Sequence, residues 1–484
     1  MDSRGEDDEI RYLAFSSDPS GNPKVTVQEA PLRYSLELPE GYAAIETLQA
    51  GACASEVLYY RRQAGDAPSR FEQDRENKVK QEYYLDRNMR TGVVSVSENI
   101  SAFRKLLQQS MFHEAVSRIT ATHPDTRRKK IPVQKYVPRV SASGEVSFVK
   151  EIIQTNMQEN FEIGALAVRN PILLCDEHSR ADNINPETGW PYQCHRRSDA
   201  GHMPKGAMGH TECIGAAVDG RVRVPLDTLT PLSPDLQQFV KGDPAKRACL
   251  LTAVEPMACI FDAFGTMLQS GERPGSIVII GDGWSALNTI CFFQVFAPHA
   301  RIIVVGRYPE KLAALRRIHP DTITTLVINS EDYSDLDTAL RQTDERSQAD
   351  LLMITVPLRE ECVSRFVRDN GSIIWWAGSI SAFAEKTTVP KRYRERFPFG
   401  GAPRAELSAA ELFDYLVRER PDVVSAFLEY PGTYCVDMGD AAANDVQKWL
   451  EHEGNLHKNI FTPDGPLDMS VKLVINMRPL YGNI

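Results

Sequence analysis

Residues 276–315, SIVIIGDGWSALNTICFFQVFAPHARIIVVGRYPEKLAAL, decide the reading of the chain. Ile277, Val278, Ile279 and Ile280 form a continuous apolar run, as a parallel strand covered on both faces requires. The GDGWSA that follows is a glycine turn opening a helix. Gly281 permits the tight turn, Gly283 lets the backbone approach a pyrophosphate, and Ala286 is small enough for close helix–strand packing. Ser285 falls in the helix's first turn, where free N–H groups and the positive dipole end favour phosphate. Trp284 is unusual there, since so large a ring crowds the phosphate or stacks on the ligand. A strand, glycine turn, helix and second strand at this interval predict the phosphate-binding half of a dinucleotide fold.

The second strand ends in Gly306, Arg307 and Tyr308. An acid there would accept hydrogen bonds from a ribose 2′-hydroxyl, and none is present. Gly306 leaves room for a 2′-phosphate, Arg307 is a charge-assisted partner for it, and Tyr308 is placed to cover the adenine. NADP(H) is therefore favoured over NAD(H); otherwise Arg307 is a solvated residue at a helix start. Further strands follow in LLMITV and SIIWW, with Thr355 at the end of the first.

At 484 residues the chain is long enough for about two to four domains. Its 42% hydrophobic and 25% charged content is that of a globular protein. A net charge of −10 without a basic face argues against nucleic acid and anionic membranes. No apolar run is long enough to span a bilayer, and the acidic MDSRGEDDEI is no secretion signal. Nine scattered cysteines fit a reduced, cytoplasmic protein. Residues 12–60 alternate short strand patterns with turns. Residues 67–130 read as helical, with Phe103, Leu106, Leu107, Met111, Ala115 and Ile119 forming one amphipathic stripe. Strands return from 146 to 174, and 175–220 is polar and loop-like. Near the C-terminus, Ser408 and Glu411 form a capping box, and VKLVINM reads as a strand.

Taken together, several segments resemble the medium-chain dehydrogenase/reductase superfamily, the zinc alcohol, polyol and threonine dehydrogenases and their zinc-free relatives. AGACASEVLYY (50–60) is similar to the strand-end motif of Gly, Cys, Ser/Thr and acid. NFEIGALAVRNP (160–171), VRVPLDTLTPLSPDL (222–236) and LLTAVEPMACIFDAF (250–264) resemble the segments leading into the nucleotide domain. The resemblance implies an α/β fold: a GroES-like β-barrel catalytic domain (1–249, helical insert 61–140), a Rossmann doubly wound parallel sheet (250–385), and a return to the catalytic domain (386–484). It implies that Cys53 is a catalytic zinc ligand, Ser55 a proton relay, Glu56 the acid behind it and Glu255 an acid near the metal. The family's His-Glu pair belongs about where ASGEVSFVKEII (142–153) stands, which holds no His. MGHTECIG (208–215) resembles that pair but sits too close to Val222. The site therefore reads as degenerate, with the His drawn from His113, His123 or the 175–213 loop.

That loop carries Cys175, His178, Cys194, His195, His202, His210 and Cys213, of which Cys175, His178, Cys194, His210 and Cys213 make a candidate Zn site. The alternative is a polar loop with surface histidines. The 61–140 insert reads equally as a substrate lid or as an oligomer contact. The leading expectation is an NADP(H)-dependent oxidoreductase, a homodimer, moving hydride between nicotinamide and a small polar alcohol, carbonyl or imine in biosynthesis. The alternatives are a zinc-free reductase of an activated double bond and a non-catalytic nucleotide-binding scaffold.

Overall fold

The structure, a computed structural model, describes residues 7–34, 37–53, 56–57, 82, 84–94, 99–123, 130–156, 161–169, 214–329, 335, 349–356, 366–376, 394–396, 405–452, 455–456, 469–470 and 472–477. Strand β1 (Asp7–Ser17) pairs antiparallel along its length with β2 (Pro23–Arg33). The turn between them is tied by Asp18, whose carboxylate accepts the amides of Ser20 and Asn22 at 2.8 Å, with Gly21 at φ 87°. Next come β3 (Tyr42–Gly51), α1 (Ile100–Gln109), β4 (Glu114–Thr122), β5 (Lys130–Val140), β6 (Val146–Asn156), β7 (Leu166–Arg169), β8 (Val218–Asp219), β9 (Arg221–Pro225) and β10 (Leu229–Pro231). The β-rich start and the strands after 146 are as the sequence predicts.

Helices α2 (Pro234–Gly242), α3 (Pro244–Leu251), α4 (Val254–Ala263) and α5 (Gly265–Ser270) lead into the second unit. There β11 (Ser276–Ile280), α6 (Trp284–Phe296), β12 (Arg301–Gly306), α7 (Pro309–Ile318), β13 (Ile323–Val327), β14 (Ala349–Ile354), β15 (Val367–Trp375) and β16 (Arg394–Arg396) alternate. All its strands run parallel in the order β13-β12-β11-β14-β15-β16. That is the doubly wound dinucleotide order, reversing direction between β11 and β14. β16 lies beyond residue 385 and closes this sheet. Then α8 (Ala405–Glu419), α9 (Pro421–Leu428), β17 (Thr433–Asp437), α10 (Asp440–Glu451), β18 (Asn455–Leu456), β19 (Met469–Ser470) and β20 (Lys472–Asn476) complete the chain. β17 and β20 join the first unit in a sheet ordered β10-β7-β4-β3-β20-β17, with β9 also paired to β3. The barrel is thus assembled from both ends of the chain.

Three features depart from the sequence reading. The stripe from Phe103 to Ile119 is not one helix: α1 stops at Gln109, and Glu114 begins a strand paired to β3. Phe103, Leu106 and Leu107 of α1 pack in the barrel core with Tyr84 and Leu85. Part of the supposed insert is therefore core, and part is barrel strand. In addition, 142–153 forms the turn and most of β6 in a β5–β6 hairpin that, among the described residues, pairs with no further strand. Its role follows from α6, which is buried on every face from Ala286 to Phe296. A helix apolar all round needs cover on its outer side. The hairpin supplies it: the Phe148 ring stands 5.4 Å from that of Phe292 and edge-on to Phe261 at 5.1 Å. Ser408 also differs from expectation. It lies inside α8 and its hydroxyl accepts the Tyr136 amide at 2.9 Å, while Glu411 pairs with Lys135. Both groups fasten α8 to the hairpin.

Candidate active site at the junction of barrel and parallel sheet

Three neighbouring strands create the site. β3 lies between β4 and β20, with Gly51 paired to Glu114 on one side and to Val474 on the other. Because Gly51 has no side chain, Glu114 and Lys472 meet across it. A Cβ there would stand 3.0 Å from Glu114 Oε2 and 3.1 Å from Lys472 Cε. The two form a buried ion pair. Burial raises the Glu114 carboxyl to about 7, against the pull of Lys472.

Beyond Gly51 the chain turns at Cys53, whose carbonyl accepts the Glu56 amide at 3.0 Å. The turn brings the Cys53 thiol, His113 and Glu114 together, with one ligand atom from each within 4.8 Å of the others. Glu56 is buried behind them. Its Oε1 accepts the Phe112 amide at 3.0 Å and lies 3.9 Å from His113 Nδ1. Phe112 adopts φ 68°, a left-handed conformation that glycine takes without cost. This turn places His113, and Glu114 at the start of β4, beside the same cluster. Helix α4 brings Glu255, buried in its first turn and so favoured by the helix dipole, with Cys259 Sγ 3.7 Å from its Oε1. Burial works against a charged His113. The neighbouring Cys53, Glu255 and Glu114 outweigh it and hold the imidazole well above its usual range.

His113, one of the sources the sequence offers for a histidine here, stands beside Cys53 and Glu114, in the sequence Phe112-His113-Glu114. Cys53, Glu56 and His113 come together, and Glu255 acts electrostatically on both His113 and Glu114. Ser55 lies outside the described residues, as do Cys175, His178, Cys194, His195, His202, His210 and Cys213. Glu114 and Lys472 went unread in the sequence, because their meeting depends on strand pairing across hundreds of residues.

The donor set fits a divalent cation. Thiolate, imidazole and carboxylate are the ligands zinc takes, at roughly 2.0–2.3 Å each. Three buried acids, Glu56, Glu114 and Glu255, lie with two basic groups, His113 and Lys472. A dication offsets that excess of negative charge.

At the parallel sheet, Gly281 has φ 115°, and a Cβ on it would collide with the Thr355 hydroxyl, which donates to the Ile280 carbonyl at 3.0 Å. Among the described residues, no atom beyond its chain neighbours lies within 4 Å of a Cβ built on Gly283, so the turn is open there at the helix N-terminus beside Ser285 and Ala286. Two expectations change here. Trp284 neither crowds this opening nor faces it. The ring is buried edge-on to Phe427 at 5.0 Å, and its Nε1–H donates to Thr433 Oγ1 at 3.1 Å. The space beside Gly306 is not left for a phosphate. The Asp282 carboxylate fills it, accepting the amides of Arg307 at 2.7 Å and Tyr308 at 2.8 Å. An acid from the glycine turn thus occupies the end of β12, which has none of its own. Arg307 stands 5.5 Å from the Tyr308 ring centroid, and the buried Lys311 ammonium 4.6 Å from it. Burial lowers Lys311 to about 8, with Asp282 opposing the shift.

No protein-family model matches the sequence, and no curated protein matches it. Solved structures do match. An alcohol dehydrogenase from Thermotoga maritima aligns with a TM-score of 0.51 at 13% identity, over 97% of this chain and 99% of that one. A short chain alcohol dehydrogenase from E. coli CFT073, in complex with NADH, aligns with a TM-score of 0.51 at 10% identity, again over 97% and 99%. At such identities the likeness is one of fold. The chain has the alcohol dehydrogenase fold, a GroES-like barrel joined to a Rossmann sheet, as its motifs lead one to expect.

Proposed function

We propose that the chain is a nicotinamide-dependent oxidoreductase that moves hydride between the cofactor and a small alcohol or carbonyl at a zinc-bearing site. The observation that carries this reading is the convergence of Cys53, His113 and Glu114 beside a parallel sheet whose glycine turn is open for a pyrophosphate. Cys53, His113 and Glu114 are the ligands we put forward, since one ligand atom from each already lies within 4.8 Å of the others. Three protein ligands leave a position for substrate oxygen. Zinc, when bound, would supply Lewis acidity toward that oxygen.

The protein's own residues do the rest. Glu56 holds His113 in place and fixes the turn through the Phe112 amide. Lys472 pairs with Glu114, opposes the loss of its charge on burial and holds it in position. The N-terminus of α6 receives the pyrophosphate, which orients the nicotinamide toward the cluster. Ser55 is the group we assign to carry the alcohol proton away, and Ser55→Ala should cut turnover about 10²-fold or more with little effect on cofactor affinity.

NADP(H) is the form we favour. Two cations, Arg307 and Lys311, stand at the adenosine end against one acid, Asp282, whose carboxylate is already held by two amides. Titration of NADPH and NADH by fluorescence tests this. Arg307→Asp should weaken NADPH by roughly tenfold or more, the worth of one charge-assisted hydrogen bond, and NADH much less. Equal losses for the two would reject the assignment, and binding of neither would reject the wider reading.

A further inference from the structure

A dinucleotide fold reads the adenosine ribose with a carboxylate at the end of its second strand. In this chain Gly306 stands at that end, and the room left by its missing side chain is filled from another turn. A Cβ on Gly306 would collide with the Asp282 carboxylate. Asp282 is firmly held. The Gly281 amide before it donates to the Val305 carbonyl at 2.7 Å, and the Tyr430 hydroxyl donates to the Asp282 carbonyl. The side chain is held at one oxygen only. The amides of Arg307 and Tyr308 both donate to Oδ2. Among the described residues Oδ1 accepts no hydrogen bond, and it is not one of the buried polar atoms left without a partner. Oδ1 therefore reaches the surface of the turn, although the residue is almost wholly buried.

We propose that Asp282 is the ribose-binding acid and the residue that sets the choice between NADH and NADPH, an inference that rests on the nicotinamide reading above. With NADH, Oδ1 accepts a charge-assisted hydrogen bond from the adenosine 2′-hydroxyl. With NADPH a phosphate replaces that hydroxyl, so it brings no donor to Oδ1 and meets a like charge. The two amides at the start of α7 that could cradle the phosphate are already bound to Oδ2. Arg307, 5.5 Å from the Tyr308 ring centroid, remains to attract it. Attraction by Arg307 and repulsion by Asp282 oppose each other, so the preference for NADPH is narrow and NADH is taken as well.

Asp282→Asn separates this role from a structural one. The asparagine oxygen keeps an acceptor for the Arg307 and Tyr308 amides, while the outward atom becomes an uncharged N–H donor. Fluorescence titration of the variant, shown to be folded by its melting curve, should find NADH about tenfold weaker, the loss of one charge-assisted hydrogen bond, and NADPH unchanged or tighter. A second measurement needs no variant: NADH lacking the adenosine 2′-hydroxyl should bind wild-type protein about tenfold more weakly than NADH. Equal changes for both cofactors in Asp282→Asn, or none, would overturn the proposal and leave Asp282 as a brace for the turn. Equal affinity of wild-type protein for NADH and its 2′-deoxy analogue would overturn it too. Binding of neither NADH nor NADPH by wild-type protein would instead reject the nicotinamide reading, and the role of Asp282 with it.

Discussion

At the scale of single residues, Phe112 decides how the site is built. Its φ of 68° costs about 1–2 kcal/mol in a residue with a Cβ, yet the ring is buried in the barrel core. Removing a buried Phe costs about 3–5 kcal/mol, which exceeds the strain relieved. Both Phe112→Gly and Phe112→Ala should therefore be less stable than wild type in urea. The usual ranking of the two should invert, with Gly the more stable by about 1 kcal/mol, because only glycine also escapes the strain. Ala as the more stable variant would contradict the left-handed turn.

Lys311 gives a second test at this scale. Its folded pKa, about 8, lies below the unfolded value near 10.4. Below pH 8 both states carry the proton, and the cost of burying the charge is present in full. Between about 8 and 10.4 the unfolded chain binds more protons, so stability rises with pH. Lys311→Met removes that term. The wild-type protein should gain on the order of 1–3 kcal/mol relative to Lys311→Met between pH 7 and pH 10, read from urea midpoints. A constant difference would place the ammonium in water.

At the scale of elements, the hairpin β5–β6 and helix α6 depend on each other. Phe148→Ala should cost about 2–3 kcal/mol, since the ring is partly buried against Phe261, Phe292 and Phe296. It should leave metal content unchanged, because the rings Phe148 packs on, Phe261, Phe292 and Phe296, are none of the proposed ligands. Loss of metal in Phe148→Ala would show that hairpin and site are coupled.

This scale also explains what the sequence reveals and what it hides. The parallel strands around GDGWSA are legible because burial on both faces demands unbroken apolar runs. The His-Glu pair was not, for two reasons. Phe112 stands at a turn that glycine would have announced. Met111, Ala115 and Ile119 happen to continue the helical spacing of α1, although every residue from Glu114 to Ser117 is buried, so no strand alternation shows. The acid at the end of β12 was hidden as well, since Asp282 arrives from another turn.

For the molecule as a whole, the barrel and the parallel sheet share a continuous core. Val116 of β4 and Val168 of β7 belong to the same apolar cluster as α4, α6 and β11. The cluster of Cys53, His113 and Glu114 comes from the barrel side of this core, and Glu255 comes from α4. Among the described residues no helix is long and apolar enough to cross a membrane. The account's central claim is that this junction holds a zinc ion that the chemistry uses. Zinc analysis of purified wild-type protein, Cys53→Ser and His113→Ala tests it most directly, each sample shown to be folded by its melting curve. The account predicts that each variant carries about one zinc fewer per chain than wild type, whatever the 175–213 loop contributes, while NADPH affinity is kept. Equal zinc content in all three folded proteins would contradict it.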